Sequence, residues 1–306
     1  MAPKCNLIID SCCDLPMSMV DKPGVRLIEY PYQIDGEQYY DDLFTSISPH
    51  EFYDRMRNGA FPQTSQVPLH EIQDAWTEAA ESGVPTLYLS FTSGLTGSVD
   101  QIYRIMNETK ERYPEAELYL FDTLQASTAE AMLVYEALKQ RDKGLTAPEL
   151  ITWAEGARSH LNDMFMVDDL TALKKGGRIP PAAATIGSKL DVKPMLTINL
   201  EGSLSLCGMA RGRKKAIKQL VGYFTERIPE GERDRTIFIG HADCPDDVER
   251  FANMLKKVAP GAEIIVVNVG PVIGSHVGPG MMSLVFFGPE RKKSDSIFSR
   301  FGKKRS

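Results

Sequence analysis

Between residues 86 and 161 the chain alternates short apolar runs of strand type with longer runs of helical type. Thr86 to Phe91 predicts a strand and Leu95 to Arg112 a helix. Glu117 to Phe121 predicts the next strand, and Ala126 to Arg141 a helix that stops at Gly144. Pro148 to Leu161 predicts one more helix. This rhythm limits the fold to an α/β architecture, because parallel strands need long crossovers and helices cover the sheet between them.

The flanking segments extend the pattern. Asn6 to Ile9 reads as a short buried strand ending in the turn Asp10-Ser11-Cys12-Cys13-Asp14. Arg26 to Ile34 and Glu37 to Tyr40 flank Asp35-Gly36, a hairpin signal. Ser48 to Arg57 predicts a helix with Ser48 as N-cap, and Pro68 to Glu81 another that ends at Gly83. After about residue 161 the order changes. A strand over Met164 to Val167 and a short helix over Asp168 to Lys174 precede a second hairpin, Met195 to Asn199 with Ser203 to Cys207. Helices over Arg213 to Arg227 and Pro245 to Val258 then alternate with strands over Thr236 to His241, Glu263 to Val269 and Ser283 to Phe287. With 306 residues, 42% of them hydrophobic, the chain can build two cores. The expected organisation is an N-terminal parallel-sheet α/β domain over 1–160, a C-terminal mixed α/β domain over 161–289, and a basic tail over 290–306. That tail carries seven Lys or Arg against two acidic residues, so it reads as disordered and solvated, with Ile297, Phe298 and Phe301 offering a route to membrane-surface contact.

Charge and cysteine usage exclude several function classes. A formal net charge of −6 lacks the basic field a general nucleic-acid binder needs. The five cysteines form no CxxC pair, and Cys12 and Cys13 are adjacent, which suits reduced thiols in a cytoplasmic protein. Zinc would need more ligands at better spacing, so no metal is expected. The first ten residues do not read as a signal peptide, and no stretch approaches the roughly 20 apolar residues of a spanning helix, so the protein reads as soluble.

Open α/β sheets bind ligands at the carboxyl ends of their strands, and four such segments stand out. Asp10-Ser11 and Asp14 follow the first strand. Thr92-Ser93-Gly94-Leu95-Thr96-Gly97-Ser98 follows the strand at 86–91, where the hydroxyls either cap the next helix or help its N-terminus meet an anion. Gln63-Thr64-Ser65-Gln66 holds two hydroxyls that serve either as turn formers or as ligand contacts. The segment Gly270 to Gly280, GPVIGSHVGPG, is the strongest signal. Its glycines permit close backbone approach to a ligand, and Ser275-His276 sits in the middle of a rigid small-residue turn. There is no GxxxxGK[ST], no GxGxxG after the first strand and no GxSxG. Lys174-Lys175-Gly176-Gly177-Arg178 reads as an exposed helix stop rather than a phosphate site. Arg211-Gly212-Arg213-Lys214-Lys215 puts cations at a helix start, against the helix dipole, which fits either an outside acidic partner or a solvated surface.

Taken in order, these segments resemble the DegV family of bacterial fatty-acid-binding proteins over about residues 5–288. The likeness is carried by Asp10-Ser11 with Asp14, Pro62 with Thr64-Ser65-Gln66, Ser93 with Leu95, Thr96 and Gly97, and Lys175-Gly176-Gly177-Arg178-Ile179. Ile186-Gly187, Lys193-Pro194, Arg211 with Lys214-Lys215-Ala216, His241-Ala242-Asp243 and GPVIGSHVGPG complete it. The resemblance implies a long-chain fatty acid held between the two domains, its carboxylate met by Thr64, Ser65, Ser93 and His276, with Gly94, Thr96, Gly274 and Ser275 as supporting loop residues. It also implies a non-catalytic carrier that presents the acid to a separate fatty acid kinase for acyl phosphate formation, with Arg211 at the position relevant to kinase docking. No cofactor beyond the bound lipid is implied. Cys12-Cys13 and Thr92 depart from the family pattern, and the basic tail lies outside it.

Physical chemistry suits that reading. Burying roughly fourteen methylenes at about 0.8 kcal/mol each gives about 11 kcal/mol gross, from which association costs remove several. A few hydrogen bonds then orient the head. Two other readings remain: an acyl hydrolase or transferase using Ser93 or Ser275 as nucleophile with His276 as base, and a binder of another apolar acid such as a retinoid-like or branched lipid.

Overall fold

The computed structural model describes residues 3–179 and 191–292. Four strands form a parallel sheet in the order β2-β1-β6-β7: β1 (Asn6–Asp10), β2 (Val25–Ile28), β6 (Thr86–Ser90) and β7 (Leu118–Asp122). All five residues of β6 are buried, as expected of a strand covered on both faces. The crossover helices are α3 (Leu69–Glu81) and α4 (Ser98–Arg112), with α5 (Ser127–Asp142) and α6 (Ala147–His160) following β7. The predicted rhythm is present, with ends displaced by a few residues.

The second sheet is six-stranded and mixed, in the order β10-β9-β8-β13-β11-β12. Its strands are β8 (Leu161–Met166), β9 (Val192–Ile198), β10 (Leu204–Arg211), β11 (Ile237–His241), β12 (Ile264–Asn268) and β13 (Met282–Phe287). β11 and β12 run parallel, and the remaining pairs are antiparallel. α8 (Arg213–Arg227) and α9 (Pro245–Val258) bury one face of this sheet through Phe224, Phe251 and Leu255. The other face joins a single apolar core that also contains Leu133 of α5 and Leu7 of β1. α5 lies between the two sheets and is buried almost all round, so its sequence carries small and apolar residues rather than one apolar stripe.

Two local readings change. The run Arg26 to Ile34 is not one strand. β2 ends at Ile28, the Tyr30 N–H donates to Ser11 Oγ at 3.1 Å, and the chain then enters a separate sheet as β3 (Pro31–Ile34). β3 pairs with β4 (Glu37–Tyr40) across Asp35-Gly36, whose φ angles of 54° and 84° are those of a tight hairpin turn. Its other neighbour is the two-residue β5 (Gln63–Thr64), so Thr64 is fixed by sheet pairing to Tyr32 rather than by a turn. The short helices α1 (Met17–Val20), α2 (Pro49–Arg57), α7 (Thr171–Lys175) and α10 (Pro271–Val277) complete the fold.

The expected solvated tail also starts later than its composition suggests. Arg291 is buried, ion-paired to Asp163 at 3.1 Å, and donates to the Ile198 carbonyl at 2.6 Å. Residues 293–306, with the rest of the basic cluster, lie outside the described residues, as do Ile186-Gly187.

Candidate functional site

Within the segment Gly270 to Gly280, Pro271–Val277 form a helix, α10, in place of the expected glycine-rich turn, and Gly278 to Gly280 turn the chain out of it. Its N-terminus is built by carboxylates distant in sequence. Asp14 accepts from the Gly270 N–H at 2.8 Å and Asp41 from the Val272 N–H at 3.1 Å, supplying acceptors that an isolated helix end lacks. Pro271 occupies the first turn, where its missing N–H costs nothing. Burial pushes the Asp41 carboxyl up to about 7, opposed by the N–H groups of Val272 and Leu43. Burial, then the neighbouring Asp41, raises Asp14 well above the carboxylate range.

The two supporting residues of this helix have structural duties. A Cβ on Gly274 would fall 2.4 Å from the Tyr53 hydroxyl, which donates to the Val269 carbonyl, so only glycine lets α10 sit against α2. The buried Ser275 hydroxyl donates back to the Pro271 carbonyl at 2.6 Å.

His276 on α10 meets Thr64 on β5, with Nε2 2.8 Å from Oγ1. Burial, and next the Arg178 guanidinium, push this imidazole down from its ordinary 6.5 to about 4, so it is neutral near pH 7. Its Nδ1 is buried and has no hydrogen-bond partner, and Gly176 packs directly on it: a Cβ there would lie 2.3 Å away. One ring nitrogen must carry the proton. With the proton on Nε2, the ring donates to Thr64 Oγ1 and leaves only a lone pair unmet at Nδ1. The Thr64 O–H is then free to donate to a ligand oxygen. The reading of Lys174 to Arg178 as a plain helix stop is therefore incomplete. Gly176 leaves room for His276, and Lys175 lies over the Phe61 ring at 4.6 Å, tying α7 to the segment before β5.

This pair opens onto a cavity of about 220 Å3 between the two sheets. Ser65, Gln66, Thr96 and Arg178 share its polar end with Thr64 and His276, while Phe91, Leu95, Phe165, Leu173, Ile273 and Val285 make much of its wall. Arg178 is half-buried and donates to the Gly176 carbonyl. It has no carboxylate partner among the described residues, and burial lowers its pKa. A guanidinium without a counter-ion, beside neutral hydroxyl and imidazole donors, is an environment suited to one organic anion. The sequence reading did not place Arg178 in the site; an arginine closing a double-glycine stop was the available signal.

The other expected residues lie elsewhere. Ser93 is exposed and outside the cavity lining, and its N–H donates to Asp122 at 3.2 Å. Gly94 packs against the Gly202 backbone of the β9–β10 turn, where Thr92 also donates to the Gly202 carbonyl. Thr96 reaches the cavity while accepting from the Ser98 N–H at 3.2 Å. Arg211 ends β10, is exposed and is not among the residues lining the cavity. Its neighbour Arg213 is an internal clamp between Asp168 and Asp247, not a free surface cation. All five cysteines are free thiols. Cys12 lines the cavity, and burial raises its thiol pKa further from reactivity. Neither Ser93 nor Ser275 is hydrogen-bonded to His276, so the described residues do not form the serine–histidine pair that acyl transfer would use. No cluster of His, Cys, Asp or Glu among the described residues could hold a metal, and no described helix is long and apolar enough to cross a membrane.

A DegV domain-containing protein of Clostridium perfringens is 36% identical over 286 residues, covering 94% of this chain and 98% of its own. The solved structure of a DegV family protein from Thermus thermophilus, described for its fatty acid binding, is 29% identical with a TM-score of 0.78, covering 94% of this chain and all of its own. The Streptococcus pneumoniae fatty acid kinase B3 protein loaded with linoleic acid shares the fold, with a TM-score of 0.79 at 18% identity over 93% of this chain and 99% of its own. The DegV family model matches residues 4–288, and the chain belongs to the DegV family.

Proposed function

We propose that this protein binds one long-chain fatty acid, with the acyl tail in the cavity and the carboxylate at Thr64, Ser65 and His276, assisted by Thr96 and Arg178. The observation that carries this reading is the neutral Thr64–His276 pair in the lining of a largely apolar cavity, with the Arg178 guanidinium, which has no carboxylate partner among the described residues, in the same lining. The fatty acid binding of the Thermus relative supports the same ligand class. A tail of this kind supplies most of the affinity through burial, and the head contacts supply orientation.

The protein acts as a carrier that presents the acid to a separate fatty acid kinase, which phosphorylates the carboxylate. Arg211, exposed at the end of β10, is available to dock that partner. The tail beyond residue 292 contributes transient contact with anionic membrane. Native mass spectrometry of protein purified from cells should show one added fatty acid mass. An empty protein that turns over acyl esters would overturn the carrier reading. Arg211→Ala should keep the lipid and slow acyl phosphate formation in the presence of the kinase; loss of lipid in that variant would contradict a docking role.

A further inference from the structure

The wall of the cavity holds a second polar feature, at the end away from His276. Met281 follows α10 and begins the descent of β13, and the register pairs Val285 with Asp163 of β8. Four residues along a strand place that rung roughly 13 Å deeper than Met281. Asp163 lines the cavity there together with Ile198 and Leu204. It is buried, yet every interaction expected of a carboxylate is met: Arg291 at 3.1 Å, the Ile198 N–H at 2.8 Å and the Thr197 hydroxyl at 3.1 Å. Arg291 is brought in by the segment after β13. Its N–H donates to the Ser159 carbonyl, the Gly288 N–H donates to the His160 carbonyl, and Asn162 donates to the Pro289 carbonyl.

We propose that the Asp163–Arg291 pair is a fixed stop that sets the longest acyl chain the cavity accepts, a role that rests on the fatty acid reading above. An apolar wall yields to a longer chain, because side chains such as Met and Leu can change rotamer at small cost. A buried ion pair does not. Parting it would leave two charges in a medium of low dielectric, and the burial of one or two more methylenes gains less than that costs. The methyl end also has no means of replacing the hydrogen bonds that hold Asp163. Arg291 does not touch the lipid; it is a positioning residue that acts through Asp163.

The test uses the full chain and measures binding of saturated fatty acids of increasing length, together with the lengths that co-purify from cells. Wild type should gain affinity with each methylene up to a limit and then lose it. The double variant Asp163→Ala with Arg291→Met opens the end wall without stranding a buried charge. In it, each of the next one or two methylenes should raise affinity roughly fourfold, the gain expected from burying a CH2. A second double variant, Asp163→Leu with Arg291→Met, refills the end with apolar volume and should restore a limit at or below the wild-type length. A merely structural role would lower stability in both variants and leave the limit where it was. If a folded Asp163→Ala/Arg291→Met protein keeps the wild-type length limit, the stop is elsewhere. If wild type binds no fatty acid of any length, the ligand reading itself fails, and the stop with it.

Discussion

Two polar regions of the cavity lining differ: the one around Thr64 and His276 is partly exposed, the one around Asp163 is buried, and their polar groups are satisfied to different degrees. Around Thr64 and His276 the imidazole is pushed down to about 4, its Nδ1 has no hydrogen-bond partner, and the Arg178 guanidinium has no carboxylate partner among the described residues. At the Asp163 end burial pushes the carboxyl pKa up, opposed by Arg291, Thr197 and a backbone N–H, all of which meet it. Unmet hydrogen-bonding capacity costs free energy in the empty protein and is recovered when a ligand supplies the partner. Arg291 Nε is buried without a hydrogen-bond partner among the described residues, but the Asp163 carboxyl that lines the cavity has its contacts met and has little to gain from a ligand. In the proposed reading the less satisfied region meets the carboxylate and the Asp163 region serves as wall.

This contrast can be broken from the structural side first. Arg291→Ala leaves Asp163 buried without its counter-ion, and unfolding in urea should show a loss of about 3–5 kcal/mol. A loss below about 1 kcal/mol would mean that the pair is not closing the fold. The next effect is one of pH. The unfolded His276 imidazole titrates near 6.5 and the folded one near 4, so protons bind the unfolded chain more tightly between those values. The stability gained by holding the ring neutral is full above pH 6.5 and is lost as the pH falls toward 4, by up to about 3 kcal/mol. His276→Gln should flatten that part of the stability curve; an unchanged acid limb would remove His276 as its source.

Smaller effects sharpen the comparison. Thr64→Ala deletes one hydrogen-bonding hydroxyl at a partly exposed position, so fatty acid affinity should fall about tenfold with little change in urea midpoint. Equal loss of stability and affinity would instead make Thr64 a structural residue. Ser93→Ala should change both by less than about 0.5 kcal/mol, because the side chain is exposed and outside the cavity. A large drop in lipid binding there would show that the loop closes over the head in the loaded state.

Local pattern was enough for the elements whose causes are local. The strand–helix rhythm of residues 86–161, the turn at Asp35-Gly36 and the helix opened by Ser48 and Pro49 depend on near neighbours in sequence, and each is where the pattern puts it within a few residues. α10 was not legible in this way. Four glycines and two prolines within eleven residues read as a turn, and the helix forms because Asp14 and Asp41, more than 200 residues away, cap its first N–H groups. Gly176 is the helix stop that the sequence indicates, but its second duty, leaving room for the His276 ring 100 residues away, was not legible.

The sequence by itself therefore determined the α/β class, the glycine-rich segment carrying His276, and the hydroxyls of Thr64, Ser65 and Thr96 as candidates for one ligand. Only the tertiary structure decided that Ser93 stands outside the cavity, that Arg178 lines it, and that Arg291 is a buried clamp rather than part of a solvated tail. Periodicity and turn chemistry are written in neighbouring residues, whereas burial and charge pairing depend on which distant segments fold together. A cation of the same type can accordingly be a surface group, a ligand partner or a wall, and its surroundings alone distinguish them.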